Sequence, residues 1–219
     1  MREFGGVDTA LDLGCGEGRI LSIIHNSCDQ QLVVGVDLRE ALLRDTVAPA
    51  LRPQTTQSGS LYAIGDEFRE RDTEIRLYAG DISIPDPRLV GFDSIVTTEV
   101  IEHLDPPALN ALPHVVLSIY GPKIWFVSTP NKEYNALFPD YVDEFVRDAD
   151  HRFEYTRSEF RSWVLSVAQS NGYLAALGGV GLMNGPKSNS RQLPYDPAIG
   201  HCTHSIPMSF RLSTSPRLH

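Results

Sequence analysis

Apolar residues in this chain gather into short runs that stop at a glycine or a charged residue, and between the runs they return at helical spacing. Thr9-Ala-Leu-Asp-Leu13 reads as a buried strand, Gly14-Cys-Gly16-Glu-Gly18 as a tight turn, and Arg19-Ile-Leu-Ser-Ile-Ile24 as the start of a helix. Leu32-Val-Val-Gly-Val36, closed by Asp37, is a second strand, which makes a βαβ unit. The pattern then predicts a helix over 39–51, a loop over 53–60 rich in Gln, Thr and Ser, and a third strand over Arg76–Gly80. Fourth and fifth strands fall at Phe92–Val96 and Lys123–Val127, with a helix between Pro106 and Tyr120 whose Pro107 sits near the first turn. Residues 156–171 form an amphipathic helix with Phe160, Trp163, Val164 and Val167 inward, and Thr156 with Glu159 three residues on is its capping pair. Residues 183–200 read as loop and Cys202–Phe210 as a final strand.

Strands alternating with helices predict an α/β fold, a mainly parallel twisted sheet with helices on both faces. At 219 residues and 42% hydrophobic, one domain over 1–219 is expected to bury a full core. Ligands in such sheets bind beyond the carboxyl ends of the strands, and each polar motif singled out below follows a strand. Met1 to Asp8 has neither a basic nor an apolar leader pattern, and no apolar run is long enough to span a membrane. Cys15, Cys28 and Cys202 are odd in number and far apart, so neither a disulfide framework nor a thiolate zinc site is implied. The chain reads as soluble and intracellular, in the cytoplasm, with no membrane partner.

The formal charge of −9 argues against a protein that coats nucleic acid unspecifically. Its distribution is uneven: residues 1–150 carry 12 Lys and Arg against 25 Asp and Glu, whereas residues 151–219 carry 7 against 3. The basic part suits a short nucleic-acid end, and equally a solvated face.

Glycines 14, 16 and 18 let backbone N–H groups approach a ligand with a helix start behind them. Asp37, about twenty residues on at the end of the next strand, is placed to accept both hydroxyls of a ribose. Farther along, Glu99-Val-Ile-Glu102-His103 follows the fourth strand, and on a turn of helix the i, i+3, i+4 spacing brings its three ligands to one side. His151, in Asp150-His-Arg-Phe-Glu-Tyr155, is the expected fourth ligand. Two glutamates balance a divalent ion, and two imidazoles shift preference from magnesium toward manganese or another transition ion. His201-Cys202-Thr203-His204 imitates zinc spacing, but strand alternation sends its members to opposite faces, so it is assigned to the sheet.

The string Asp12-Leu-Gly-Cys-Gly-Glu-Gly18 resembles the first motif of Rossmann-like, class I methyltransferases that use S-adenosylmethionine. That resemblance puts Asp12 near the methionine part of the cofactor with Gly14 and Gly16 beneath it, Asp37 on the ribose, and Asp81 and Ile82 beside the adenine. Glu99-Val-Ile-Glu-His-Leu104, Val127-Ser-Thr-Pro-Asn131 and Asp150-His-Arg-Phe-Glu-Tyr-Thr-Arg157 resemble the small-RNA 3′-terminal 2′-O-methyltransferases of the Hua-enhancer type, over most of the chain. The resemblance implies methyl transfer to the 2′-hydroxyl of the last nucleotide of a small RNA, with Glu99, Glu102, His103 and His151 holding one divalent metal, Mn or Mg, on the terminal diol. It also implies a role in RNA-mediated gene silencing. Asp81 departs from the family, which has serine there. No double-stranded-RNA module has room, so the expected substrate is single-stranded, delivered by a protein that carries small RNA.

His103 is also a candidate base, although a ligand has one nitrogen committed. Asn131, Lys132, Arg152 and Arg157 are candidates for the terminal phosphates. Two other readings stay open: a metal-dependent O-methyltransferase acting on a small diol, and a non-catalytic module that binds RNA ends.

Overall fold

A computed structural model describes residues 7–27, 30–51, 73–137, 146 and 148–179, and the backbone of 207–214. Its strands are β1 (Thr9–Leu13), β2 (Leu32–Asp37), β3 (Glu74–Ala79), β4 (Ser94–Thr98), β5 (Ile124–Pro130), β6 (Tyr173–Gly179) and β7 (Pro207–Thr214). They are hydrogen-bonded in the order β3-β2-β1-β4-β5-β7-β6. β1 pairs in parallel with β2 and with β4, and β2 with β3, as a βαβ chain requires. The chain divides into two compact units, Met1–Thr97 with Ala111–Trp125, and Thr98–Asn110 with Phe126–His219.

In the first unit β1 and β2 are largely apolar on both faces because both are covered. Ala10, Leu11 and Leu13 of β1 and Val33, Val34 and Val36 of β2 are all buried. Helix α1 (Arg19–Ser27) adds Leu21 and Ile24, which pack with Ala10, Cys15, Val33, Leu43 and Val47. Gly35 permits this approach: a Cβ there would stand 2.6 Å from the Leu21 Cδ1 and 3.1 Å from the Cys15 Sγ. The expected helix over 39–51 is present as α2, residues 40–50, and its middle widens into a π turn at Leu43–Val47 that buries both end residues. The predicted helix from Pro106 to Tyr120 also forms, as α3. Its α-helical part ends at Pro113, whose ring cannot donate to the preceding turn, and it continues as a π turn, His114–Tyr120. Gly121, at φ 64°, closes it by donating to the Val116 carbonyl.

In the second unit, α4 (Arg157–Asn171) starts at Thr156 with both bonds of the capping box in place and stops at Gly172 in the left-handed region. Phe160, Val164 and Val167 are buried as expected, with Trp163 half-buried and stacked on Phe160. β6 and β7 pair antiparallel, Tyr173 opposite Thr214 through Gly179 opposite Met208. β6 is an unpredicted strand, because Tyr-Leu-Ala-Ala-Leu-Gly-Gly lacks the β-branched residues that advertise one. The final strand lies at Pro207–Thr214, later than the expected Cys202–Phe210. Residues 53–60, 183–200 and 201–204 and the cysteines Cys28 and Cys202 lie outside the described residues. Cys15 is a free, buried thiol. No helix among the described residues is long and apolar enough to cross a membrane.

Candidate active site

The glycine loop leaves β1 through three residues in the left-handed region, Gly14, Gly16 and Gly18. The N–H groups of Gly14 and Cys15 donate to the Val36 carbonyl at 2.8 and 2.9 Å, which ties the loop to the end of β2. At Gly18 a Cβ would stand 2.8 Å from Val47 Cγ1, so only glycine allows this seal between loop and helix. Asp37, 5% exposed, accepts from Gly16 N at 2.9 Å, from Arg39 N at 2.9 Å and from the Arg39 Nε at 3.0 Å. Burial pushes its carboxyl up, but the hydrogen bonds from Arg39 and Gly16 more than offset that and hold it below the usual carboxylate range. Asp12 is buried too, with Oδ2 lacking a hydrogen-bond partner among the described residues. Burial, then the Asp37 charge, raises Asp12 to about 7. An orphaned carboxylate oxygen beside a glycine cradle suits a ligand with amine or hydroxyl donors, as S-adenosylmethionine has. Asp81 is exposed after β3, its Oδ1 taken by the N–H and hydroxyl of Ser83, and Ile82 beside it is buried.

The second site begins where β4 ends. Glu99, at φ 53°, is the only non-glycine residue in the left-handed region among those described, a costly conformation for a residue with a side chain. Its N–H donates to the Ser128 carbonyl at 3.1 Å and its Oε1 accepts from the Ser128 hydroxyl at 2.8 Å. The chain then makes one 3-10 turn, Ile101–His103. The expected helical i, i+3, i+4 arrangement is therefore absent: a left-handed residue cannot continue into a helix, and the ligands converge through a reversal and a short turn instead.

Glu102 is fully buried. Its Oε2 accepts from the Thr129 hydroxyl at 2.9 Å, while its Oε1 has no hydrogen-bond partner among the described residues. Burial first, then the charges of Glu99 and Glu154, raise its carboxyl to about 8. The His103 Nδ1 lies 3.1 Å from the Asp150 carbonyl and the His151 Nδ1 2.6 Å from the Glu154 Oε1. A carbonyl and an ionised carboxylate only accept, so each Nδ1 is placed to donate, and a neutral ring then has Nε2 for a cation. The ring centroids are 4.8 Å apart, and one ligand atom from each of Glu102, His103 and His151 lies within 4.8 Å of the others. Three of the four expected ligands thus gather. Glu99 is not in that group, its carboxylate being turned to Ser128 yet near enough to raise Glu102. A buried carboxylate with one orphaned oxygen, gathered with two imidazoles, fits a divalent cation, and the mixed nitrogen and oxygen donors favour manganese over magnesium.

The chain is 38% identical over 191 residues, 86% of its length, to the small RNA 2′-O-methyltransferase of Mus musculus, and covers 44% of that protein. It is 30% identical to the protein of the same name from Arabidopsis thaliana, over 79% of this chain and 19% of that one. It therefore spans less than half the length of either of these two relatives. Among solved structures, the methyltransferase domain of bacterial CtHen1 aligns with TM-score 0.67 at 28% identity, over 94% of this chain and 90% of that one. The chain is a relative of the small RNA 2′-O-methyltransferases. No protein-family model matches it. A methyltransferase from Clostridium acetobutylicum, TM-score 0.60 at 13% identity, shares the class I S-adenosylmethionine-dependent methyltransferase fold, as predicted.

The residues expected from the sequence at RNA phosphates differ in exposure and in partners. Asn131 is buried, spends its Oδ1 on the Glu133 N–H and pairs with Tyr155 in a β-bridge, so it organises a turn. Arg152 and Arg157 are more than half exposed, Arg152 pairing with Asp105 at 3.3 Å and Arg157 donating to the Tyr134 hydroxyl at 3.1 Å. Lys132 is half-buried, its N–H on the Tyr155 carbonyl. Sequence reasoning missed Arg39, Thr129, Asn135 and Glu154. Glu154 and Thr129 had a signal, each standing within a motif that carried the resemblance, Glu154 three residues after His151 and Thr129 in Val127-Ser-Thr-Pro-Asn131.

Proposed function

We propose that this chain transfers the methyl group of S-adenosylmethionine to the 2′-hydroxyl of the 3′-terminal nucleotide of a small single-stranded RNA. The observation that carries the reading is the meeting of Glu102, His103 and His151, with one buried Glu102 oxygen lacking a hydrogen-bond partner among the described residues. Identity to named small RNA 2′-O-methyltransferases over most of the chain supports it. Those three residues, with Glu99 beside them, would hold the divalent ion, Mn or Mg. When bound, such an ion supplies Lewis acidity toward sugar hydroxyls and a seat for the terminal 2′,3′-diol.

His103 is assigned as a ligand rather than a base: its Nδ1 is engaged with the Asp150 carbonyl, so Nε2 is the nitrogen left for the ion and none remains to take a proton. Asp12 and Asp37 bind the cofactor's donors, and the glycine loop admits its backbone-facing edge. Arg152, Arg157 and Lys132 hold the phosphates of the RNA end. A protein that carries small RNA supplies the substrate, in the cytoplasm, within RNA silencing.

The test offers labelled S-adenosylmethionine and manganese to a short RNA ending in 2′-hydroxyl, beside the same oligomer ending in 2′-deoxy. Methylation of the first only, abolished by chelator, is expected. Equal incorporation with and without chelator refutes the cation's part, and no transfer to any RNA refutes the enzyme reading.

A further inference from the structure

His151 and His103 each engage Nδ1, which leaves Nε2 for a ligand, but the Nδ1 partners differ. His103 leans on a neutral carbonyl, that of Asp150. His151 leans on a carboxylate, Glu154, whose side chain is 0% exposed and which sits 2.6 Å from the ring nitrogen, a short charge-assisted contact. The far oxygen of that carboxylate, Oε2, accepts from the Nδ2 amide of Asn135, itself buried. A buried carboxylate is costly unless its oxygens are engaged, and here one engages the ligand and the other a fixed amide.

We propose that Glu154 is a positioning residue of the cation site: it orients His151 as an Nε2 ligand, and Asn135 holds Glu154 in place. The inference rests on the cation reading above and names a further member of that site. Glu154 cannot donate, so a proton must stay on Nδ1 and the lone pair must stay on Nε2. Turning the ring over would set carbon against the carboxylate and lose a buried bond. The negative charge behind the ring also makes the imidazole a stronger donor to a cation, as carboxylate–histidine pairs do in metal sites generally. A purely structural ion pair would do neither, and the two roles separate in the laboratory.

The experiment titrates Mn2+ into the full chain by electron paramagnetic resonance, comparing wild type with Glu154→Gln, with S-adenosylhomocysteine affinity and thermal melting as folding controls. Glu154→Gln is expected to weaken Mn2+ binding about 10- to 100-fold with cofactor affinity unchanged, and excess Mn2+ is expected to restore methyl transfer. Asn135→Ala, which frees only the far oxygen, is expected to weaken Mn2+ in the same direction by a smaller factor, and it serves if Glu154→Gln does not fold. Nitrogen-15 spectra of histidine-labelled wild type are expected to show His151 as the Nδ1–H tautomer. Equal Mn2+ affinity in wild type and in the folded variants, or an Nε2–H tautomer, overturns the role of Glu154 and leaves the cation site standing. Absence of Mn2+ binding to wild type overturns both.

Discussion

Thr129 donates its hydroxyl to one oxygen of the Glu102 carboxylate at 2.9 Å, and the other oxygen meets no donor among the described residues. An ionised carboxylate left so in a dry site costs stability unless a cation joins it. Mn2+ is therefore expected to raise the melting temperature of the wild-type chain, and chelator to reverse the rise. Glu102→Gln should lose that response and all methyl transfer, and its cation-free form should be no less stable than wild type. A Glu102→Gln variant that still gains stability from Mn2+ places the ion elsewhere.

Asp12 gives the cofactor-free chain a pH dependence. Its folded-state carboxyl stands near 7 against 3.8 for the free group, burial and the Asp37 charge being the causes. As pH rises, the unfolded chain releases this proton first, so the stability contribution is full at acid pH and is lost between about pH 4 and pH 7. Asp12→Asn is expected to flatten that decline and to raise stability above neutrality by an amount on the order of a few kcal/mol, while weakening cofactor binding. Urea midpoints across the pH range check this. Parallel profiles for the two proteins refute it.

Arg39 occupies the carboxylate expected to take the ribose. Because its side chain is 63% exposed, the pair is worth only about 0.5–1 kcal/mol. Arg39→Ala should tighten S-adenosylhomocysteine binding roughly two- to fivefold by removing this competitor, whereas Asp37→Ala should weaken it. Calorimetric titration decides, and weaker binding by Arg39→Ala means that the guanidinium holds the cofactor instead.

Gly35 and Gly18 are steric requirements of the first unit. Gly35→Ala drives a methyl group into Leu21 and Cys15, and Gly18→Ala drives one into Val47 from a left-handed backbone. Each is expected to cost about 1–3 kcal/mol in chemical denaturation. A loss below measurement error at both positions contradicts the tight contact of α1 and α2 with the loop and strand.

These residues also show how far the chain could be read unaided. Leu32–Asp37 was legible because a strand covered on both faces must be apolar throughout, and Thr156 with Glu159 because a helix start has a local signature. Glu102, His103 and His151 were legible by residue type, but their geometry was not: the reversal at Glu99 depends on its bonds to Ser128, a distant residue. Arg39 on Asp37 and Glu154 on His151 escaped for a related reason. An Arg or a Glu two or three residues from a motif residue is ordinary surface charge until the backbone turn between them brings the two side chains together. β6 escaped because its pairing with β7, not its composition, makes it a strand.

The place of β7 between β5 and β6 has a consequence for biogenesis. The segment Pro207–Thr214 is the last of the strands to leave the ribosome, yet it separates two that emerge earlier. Until it arrives, the nascent chain holds β5 without its final neighbour, an open backbone edge of the kind that invites misassembly. Chaperone attendance late in translation is what such a topology calls for.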